Sequence, residues 1–168
     1  VIALATFRDS FARCAQAATL KEVIPVGMAF FQGENMQITI KVRGYHLDVY
    51  QHVNNARYLE FLEEARWAWL EKLSAFRWMQ ENRLAFIVVN ININYRRPAV
   101  LGDELAIDSR LLQLGNKSGV IGQSVTLRPG GEEIADAALT FVCIDLRTQK
   151  AQPLTGELKQ RLEEMLAE

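Results

Sequence analysis

Within "YHLDVYQHVNNARYLEFLEEARWAWL", residues 45 to 70, an acid, a histidine and two amides stand close together: Asp48, His52, Asn54 and Asn55. A long helical pattern follows at once. Asn54 and Asn55 are both good N-caps, because a side-chain amide oxygen accepts a free N–H of the first turn. The helix is therefore expected to start at one of them. A helix start presents unsatisfied N–H groups and a partial positive charge. Such a place suits an oxygen that becomes negative during a reaction. If a loop holds the Asp48 carboxylate towards the same point, it can attack an activated acyl group or take a proton from the water that does. Acyl-transfer hydrolysis fits these parts and needs no metal or organic cofactor. The plainer alternative for Asp48 is a loop acid that caps the helix. His52 is expected to hydrogen-bond the loop rather than do chemistry. Asn54 and Asn55 are caps first. Tyr58, one turn into the helix, is expected in the core or in a pocket wall.

The elements that must position these residues are legible around them. "MQITIKVRGY" from Met36 alternates Ile38, Ile40 and Val42 against Thr39, Lys41 and Arg43, which predicts a half-buried strand. The helix carries an apolar stripe of Tyr58, Phe61 or Leu62, Ala65, Trp69 and Leu73, with Leu59, Trp67 and Leu70 adding apolar surface elsewhere. A helix apolar on so many sides must be wrapped by a curved sheet or covered by a second subunit. "LAFIVVNININYRRPAV" predicts a second strand, with Val89, Ile91, Ile93 and Tyr95 on one face and Asn90, Asn92 and Asn94 on the other. "DELAIDSRLLQL" and "KSGVIGQSVTLR" predict a third and a fourth, joined by a tight turn at Gly115 and Asn116. "PGGE" turns the chain into a fifth, where Ala135, Ala137, Leu139, Phe141 and Cys143 share a face. "TGELKQRLEEMLAE" predicts a closing helix capped by Thr155, with Leu158, Leu162 and Met165 inward. Strand, long helix, four antiparallel strands and a short helix make an α+β domain: one sheet of about five strands with a helix on one face.

Composition narrows the function classes. The chain has 168 residues, enough for one domain with a real core, and a formal net charge of −1. No basic block or stripe offers a surface for nucleic acid. The two cysteines, Cys14 and Cys143, lie far apart with no histidine cluster, which argues against a metal site and for free buried thiols. The longest apolar runs, such as "AFIVV", fall well short of the ~20 residues of a membrane span. The first residues lack the basic start of a signal peptide. A cytoplasmic protein is expected.

The segment "YHLDVYQHVNNARYLEFLEEAR" resembles the active-site motif of the hotdog-fold acyl-CoA thioesterases of the 4-hydroxybenzoyl-CoA thioesterase type, within them a bacterial long-chain group. The likeness continues through "NININYRRPAV", "GNKSG" and "TFVCIDLRTQKA" and covers residues 36 to 168. The resemblance implies an antiparallel sheet wrapped around the long helix, pairing of chains into a homodimer or homotetramer, and active sites at the interface. It implies fatty acyl-CoA as substrate, medium to long chains favoured, no cofactor, and Asp48 as the catalytic carboxylate, acting as nucleophile or general base. One of Asn54 and Asn55 would then orient water or the thioester oxygen. Arg96 and Arg97, with Lys117 and Ser118 at the hairpin, become candidates for the phosphates of coenzyme A. Two other readings stand beside it. A hydratase or dehydratase acting on acyl thioesters needs a histidine paired with a carboxylate across the interface, and His46 and His52, both in this one loop, are the only histidines. A non-catalytic acyl-CoA-binding module needs no reactive group.

Residues 1 to 35 read differently. A weak helical pattern of Phe7, Phe11 and Ala18 runs into Pro25, Gly27 and Gly33, and the family-like pattern begins sharply at Met36. The expectation is a weakly structured N-terminal extension, 1–35, ahead of a thioesterase domain, 36–168. The alternative is a lid in which Phe7, Phe11, Phe30 and Phe31 dock on an exposed groove.

Overall fold

The structure, a computed structural model, describes residues 36–72 and 74–167. The expectations for residues 1 to 35, including Cys14, and for Leu73 lie outside the described residues.

Six strands form one antiparallel sheet: β1 (Met36–Lys41), β2 (Leu84–Tyr95), β3 (Glu104–Leu114), β4 (Ser118–Arg128), β5 (Glu133–Asp145) and β6 (Lys150–Gln152). The order across it is β1-β3-β4-β5-β2, with β6 paired to one end of β5. Among the described residues, three α-helices complete the fold: α1 (Asn55–Lys72), α2 (Ser74–Glu81) and α3 (Gly156–Ala167). The α+β reading and the single sheet hold. The structure departs from the expected elements at β6, a sixth strand of three residues. The helical stretch after Asn55 is described as α1 and α2, on either side of residue 73. The expected tight turn at 115–116 is closed by the Gly115 N–H donating to the Ser118 carbonyl at 2.8 Å.

α1 lies on one face of the sheet, packed against β1 and β3. Its buried residues are Tyr58, Phe61, Leu62, Ala65 and Trp69, the expected stripe. The apolar residues off the stripe divide: Leu59 and Trp67 are exposed, and Leu70 is half-buried. On the sheet, Leu105 and Ile107 of β3, Val125 of β4 and Leu139 of β5 meet the first half of the helix. The second half meets another cluster, in which Trp69 packs with Met79 of α2, Phe141 and Cys143 of β5, and Leu158 and Leu162 of α3. The Cys143 thiol is fully buried, and burial pushes its pKa up to about 11, so it is an inert thiol as expected.

A polar seam separates the two clusters. Gln123 of β4 is buried, and its amide N–H groups donate to the Leu62 carbonyl of α1 at 2.9 Å and to Ser109 Oγ of β3 at 2.6 Å. Its oxygen accepts from Arg66 Nη1 at 2.9 Å. Burial makes the Arg66 charge costly and lowers its pKa. The seam fixes the position of α1 along the sheet, because only one register satisfies every partner.

The expected face of β2 is corrected by a bulge. Val88 pairs with Phe141 and Asn90 with Thr140, so Val89 is an extra residue. The residues packed on the first core cluster are Val88, Ile91 and Ile93, and Val89 does not share their row. Asn90, Asn92 and Asn94 do lie together on the opposite face, and Asn94 Nδ2 donates to Asp136 Oδ2 at 2.9 Å.

Candidate active site

The loop between β1 and α1 closes on itself before the helix begins. Leu47 and Val53 form an isolated antiparallel bridge. Around it the Asp48 N–H donates to the His52 carbonyl at 2.8 Å, and the Asn54 N–H donates to the His46 carbonyl at 2.9 Å. The tip turns through Gln51, which takes φ +62, and the Gln51 N–H donates to the Asp48 carbonyl at 3.1 Å. Val53 is buried and its N–H donates to the Ala99 carbonyl at 2.9 Å, so the loop is clamped to the segment after β2. The sequence asks for this: Leu47 and Val53 are the apolar residues that can seat a stem, and the polar residues between them occupy the tip.

Asp48 is held at the stem of that loop. Its Oδ1 accepts the Tyr50 N–H at 2.8 Å, an Asx turn, with a longer contact of 3.4 Å from the His52 N–H. Its Oδ2 makes no hydrogen bond among the described residues. Among the described residues the carboxylate is therefore oriented by one oxygen and unpartnered at the other. The plainer expectation for Asp48, a cap of the helix, is not what the structure shows, because the cap is Asn54. Asn54 Oδ1 accepts the Ala56 N–H at 2.9 Å, and the Asn54 carbonyl accepts the Arg57 N–H at 2.9 Å. The next N–H, that of Asn55, makes no hydrogen bond among the described residues. Helix geometry points it out of the N-terminal end. It shares a peptide with the Asn54 carbonyl, and a bonded carbonyl makes its own peptide N–H a better donor.

Tyr58 is buried beneath this point, 2% exposed. Burial pushes its hydroxyl up to about 12, against a smaller downward pull from a hydrogen bond with the Ala99 backbone. It is a protonated residue of the core, one of the two places expected for it. The Tyr95 ring meets it edge-on, with centroids 5.4 Å apart, and the Tyr95 hydroxyl donates to the Asn55 carbonyl at 3.1 Å. Nothing in the alternation of β2 distinguished Tyr95, since a tyrosine at a strand end fits a half-buried face without further role.

The two histidines separate. His52 is exposed, and it is its backbone that serves the loop. His46 is buried between the Tyr45 and Phe61 rings, at centroid distances of 4.2 and 4.8 Å. Its Nδ1 accepts the Arg43 N–H at 3.0 Å, which places the ring proton on Nε2.

The four residues expected to share one coenzyme A do not meet within one chain. Tyr95, beside Arg96 and Arg97, is in register with Ala135, whereas Ser118 is in register with Val142. The two positions are seven residues apart along β5, about 23 Å at strand spacing. Arg96 is tied to Asp136 and to Glu133, and Arg97 Nη1 lies 3.2 Å from Glu132 Oε1. The Asp136 hydrogen bond raises the Arg96 pKa further. Lys117 is exposed and makes no ion pair among the described residues. No group of His, Cys, Asp and Glu among the described residues could hold a metal ion, and no helix among them is long and apolar enough to cross a membrane.

A model of the thioesterase-like superfamily matches residues 42–162, which include the loop, α1 and the whole sheet except β1. The chain belongs to the thioesterase-like superfamily. It is 66% identical over 131 residues to the long-chain acyl-CoA thioesterase FadM of Escherichia coli (strain K12), a match covering 78% of this chain and 99% of the relative. Among solved structures, it is similar to the YbaW probable thioesterase from Escherichia coli, with a TM-score of 0.75, 67% identity, and coverage of 77% and 98% of the two chains. It is also similar to a thioesterase from Thermus thermophilus solved with coenzyme A and zinc, with a TM-score of 0.67, 27% identity, and coverage of 79% and 94%. The expected resemblance and the hotdog fold are both borne out.

The burial of His46 has a measurable consequence. Protonation would put an N–H where Nδ1 must accept, and would charge a group held among rings. Desolvation lowers its pKa below the ordinary 6.5, Arg57 and Arg43 lower it further, and Glu60 opposes them. The unfolded chain thus binds the proton more readily. The stability contributed by the neutral ring is full above pH 6.5 and is lost as the pH falls through the lowered folded value. His46→Asn keeps an oxygen for the Arg43 N–H and cannot titrate. Between about pH 7.5 and about pH 5.5 its melting temperature will fall less than the parent's. An equal fall in both proteins would assign the acid sensitivity to other groups.

Proposed function

We propose that this protein hydrolyses fatty acyl-CoA thioesters, with medium to long chains favoured, to free acid and coenzyme A. The observation that carries the reading is the pairing of a carboxylate with one unbonded oxygen, Asp48 Oδ2, and the unbonded first N–H of α1 on the two ends of one closed loop. The similarity to FadM supports the substrate class. In this reading the Asn55 N–H polarises the thioester carbonyl and takes its developing charge. Asp48 either attacks the carbonyl carbon, with an anhydride then hydrolysed, or accepts a proton from the attacking water. In both routes the C–S bond breaks, the acyl carbon gains an oxygen from water, and the sulfur leaves as the thiolate of coenzyme A, which is balanced by the proton released from that water, passed on by Asp48 or through solvent. Asn54 holds the helix start, Tyr58 backs it, and His52 closes the loop through its carbonyl. The exposed location of the site and the absence of a membrane-crossing helix among the described residues suit a cytoplasmic enzyme meeting its substrate in solution.

The hydratase reading is less well supported. His46 is engaged by the Arg43 N–H and two rings, and the His52 ring has no carboxylate partner among the described residues. The binding-module reading offers no role for a carboxylate oriented by a single oxygen.

The working unit of this reading is a pair of chains. β2 is an open edge of the sheet, twelve residues long without a charge or a proline. Such an edge invites pairing. Two β2 edges meeting antiparallel about a two-fold axis would bring the Arg96 end of one chain beside the Leu84 end of the other. The Leu84 end, in register with Asp145, is the end that carries Lys117 and Ser118. The coenzyme A candidates that lie apart in one chain are then neighbours across the pair, with Lys117 the cation not already matched by an acid. Around Asp48, Tyr45, Val49, Tyr50 and Leu101 are between 63% and 86% exposed, an apolar surface that a second chain would cover.

Two measurements test this. Asp48→Asn keeps the shape and the Asx turn, so the protein will still fold and bind acyl-CoA. Thiol release across a panel of acyl-CoAs will fall about a hundredfold or more. Turnover near that of the parent would remove Asp48 from the mechanism, and a parent with no thiol release on any chain length would remove the enzyme reading. Light scattering at micromolar concentration will find a dimer or a larger assembly. A fully active monomer would contradict the paired site.

A further inference from the structure

We propose that Tyr95 is a positioning residue for the hydrolysis, tying the first turn of α1 to the sheet so that the Asn55 N–H is held where the thioester oxygen arrives. The inference rests on the reading that this N–H meets the oxygen.

Tyr95 is the last residue of β2, in register with the fully buried Ala135. The chain after it is pinned at once: the Arg96 and Arg97 N–H groups both donate to the Ile134 carbonyl, at 2.9 and 3.2 Å. The residue therefore starts from a rigid base. From there its side chain makes two contacts with the helix start, one turn apart. The hydroxyl donates to the Asn55 carbonyl at 3.1 Å, and the ring meets Tyr58 edge-on.

Packing alone does not account for the hydroxyl. Tyr95 is 43% exposed, so its ring gains only part of the burial a core tyrosine would. A phenylalanine would make the same edge contact with Tyr58. The Asn55 carbonyl also lies inside α1, where a carbonyl accepts the N–H four residues on. A second donor there is not needed to satisfy it. What the bond does is geometric. First turns of helices fray, and an oxyanion donor is effective only when it is already in place. With Asn54 capping from the loop side and Tyr95 holding from the sheet side, the Asn54–Asn55–Ala56 backbone is fixed from both directions.

Tyr95→Phe deletes the hydroxyl and keeps the ring. Steady-state hydrolysis and binding of two inert analogues will separate positioning from simple structure. One is a ketone in which a methylene replaces the sulfur, and the other is a thioether in which a methylene replaces the carbonyl. The variant will show kcat lowered about tenfold with KM within about twofold. It will bind the ketone more weakly than the parent does and the thioether equally well. Unchanged kcat, or equal weakening of both analogues, would overturn the inference. Neither result touches the Asp48→Asn comparison, which tests the underlying reading by itself.

Discussion

The bridge between Leu47 and Val53 is the constraint on which the site depends. It forces the chain to close a short loop directly before a helix, so the residue at its entry and the first peptide after its exit must lie near one another. Asp48 occupies the entry and Asn55 follows the exit. The closure carries a local strain, the left-handed Gln51, which costs on the order of 1 kcal/mol or more for a residue with a Cβ. The hydrogen bonds of Asp48, His52, Asn54 and His46 across the loop offset it, and the Val53 N–H to Ala99 fixes the loop to the sheet end of β2. His46 is thereby structural. It supplies a carbonyl to Asn54 and a ring nitrogen to Arg43 from within the core.

The rest of the fold keeps that loop still. α1 cannot slide along the sheet without breaking the bonds that join Gln123 to the Leu62 carbonyl and to Arg66 Nη1. It cannot roll without exposing Phe61, Leu62 and Ala65. The seam costs the desolvation of Arg66 and a buried amide, and no buried side-chain nitrogen or oxygen among the described residues is left without a partner. A purely apolar interface would bind the helix as firmly but would specify its register less well.

The sequence made the loop and the helix start legible because caps, acids and apolar stems are local signals. Asn54 reads as a cap from its own side chain, and Asp48 stands out by its distance from it. The strands were legible because apolar and polar residues alternate over stretches of β1, β3, β4 and β5 long enough to read, although Leu112 of β3 and Ile134 of β5 are also inserted residues. β2 was misread at Val89, since a run of Val, Ile and Asn fits either phase and a single inserted residue leaves no mark of its own. β6 is three residues long and exists only through its pairing with β5. Tyr95 was placed on a strand face, and its role depends on the 40-residue separation from Asn55 that the fold closes. The four coenzyme A candidates were grouped by their capacity to bind phosphate, and register along β5 shows that a single chain divides them.

The central claim is that the Asn55 N–H polarises a thioester carbonyl beside Asp48. It is tested most directly by infrared difference spectroscopy of an isotope-labelled acyl-CoA carbonyl bound to the Asp48→Asn protein, where the substrate survives the measurement. The expected result is a carbonyl stretch lower than that of the same thioester in water, because a preorganised donor weakens the C=O bond more than solvent does. A stretch at or above the value in water would show that no such donor reaches the carbonyl, and would contradict the claim.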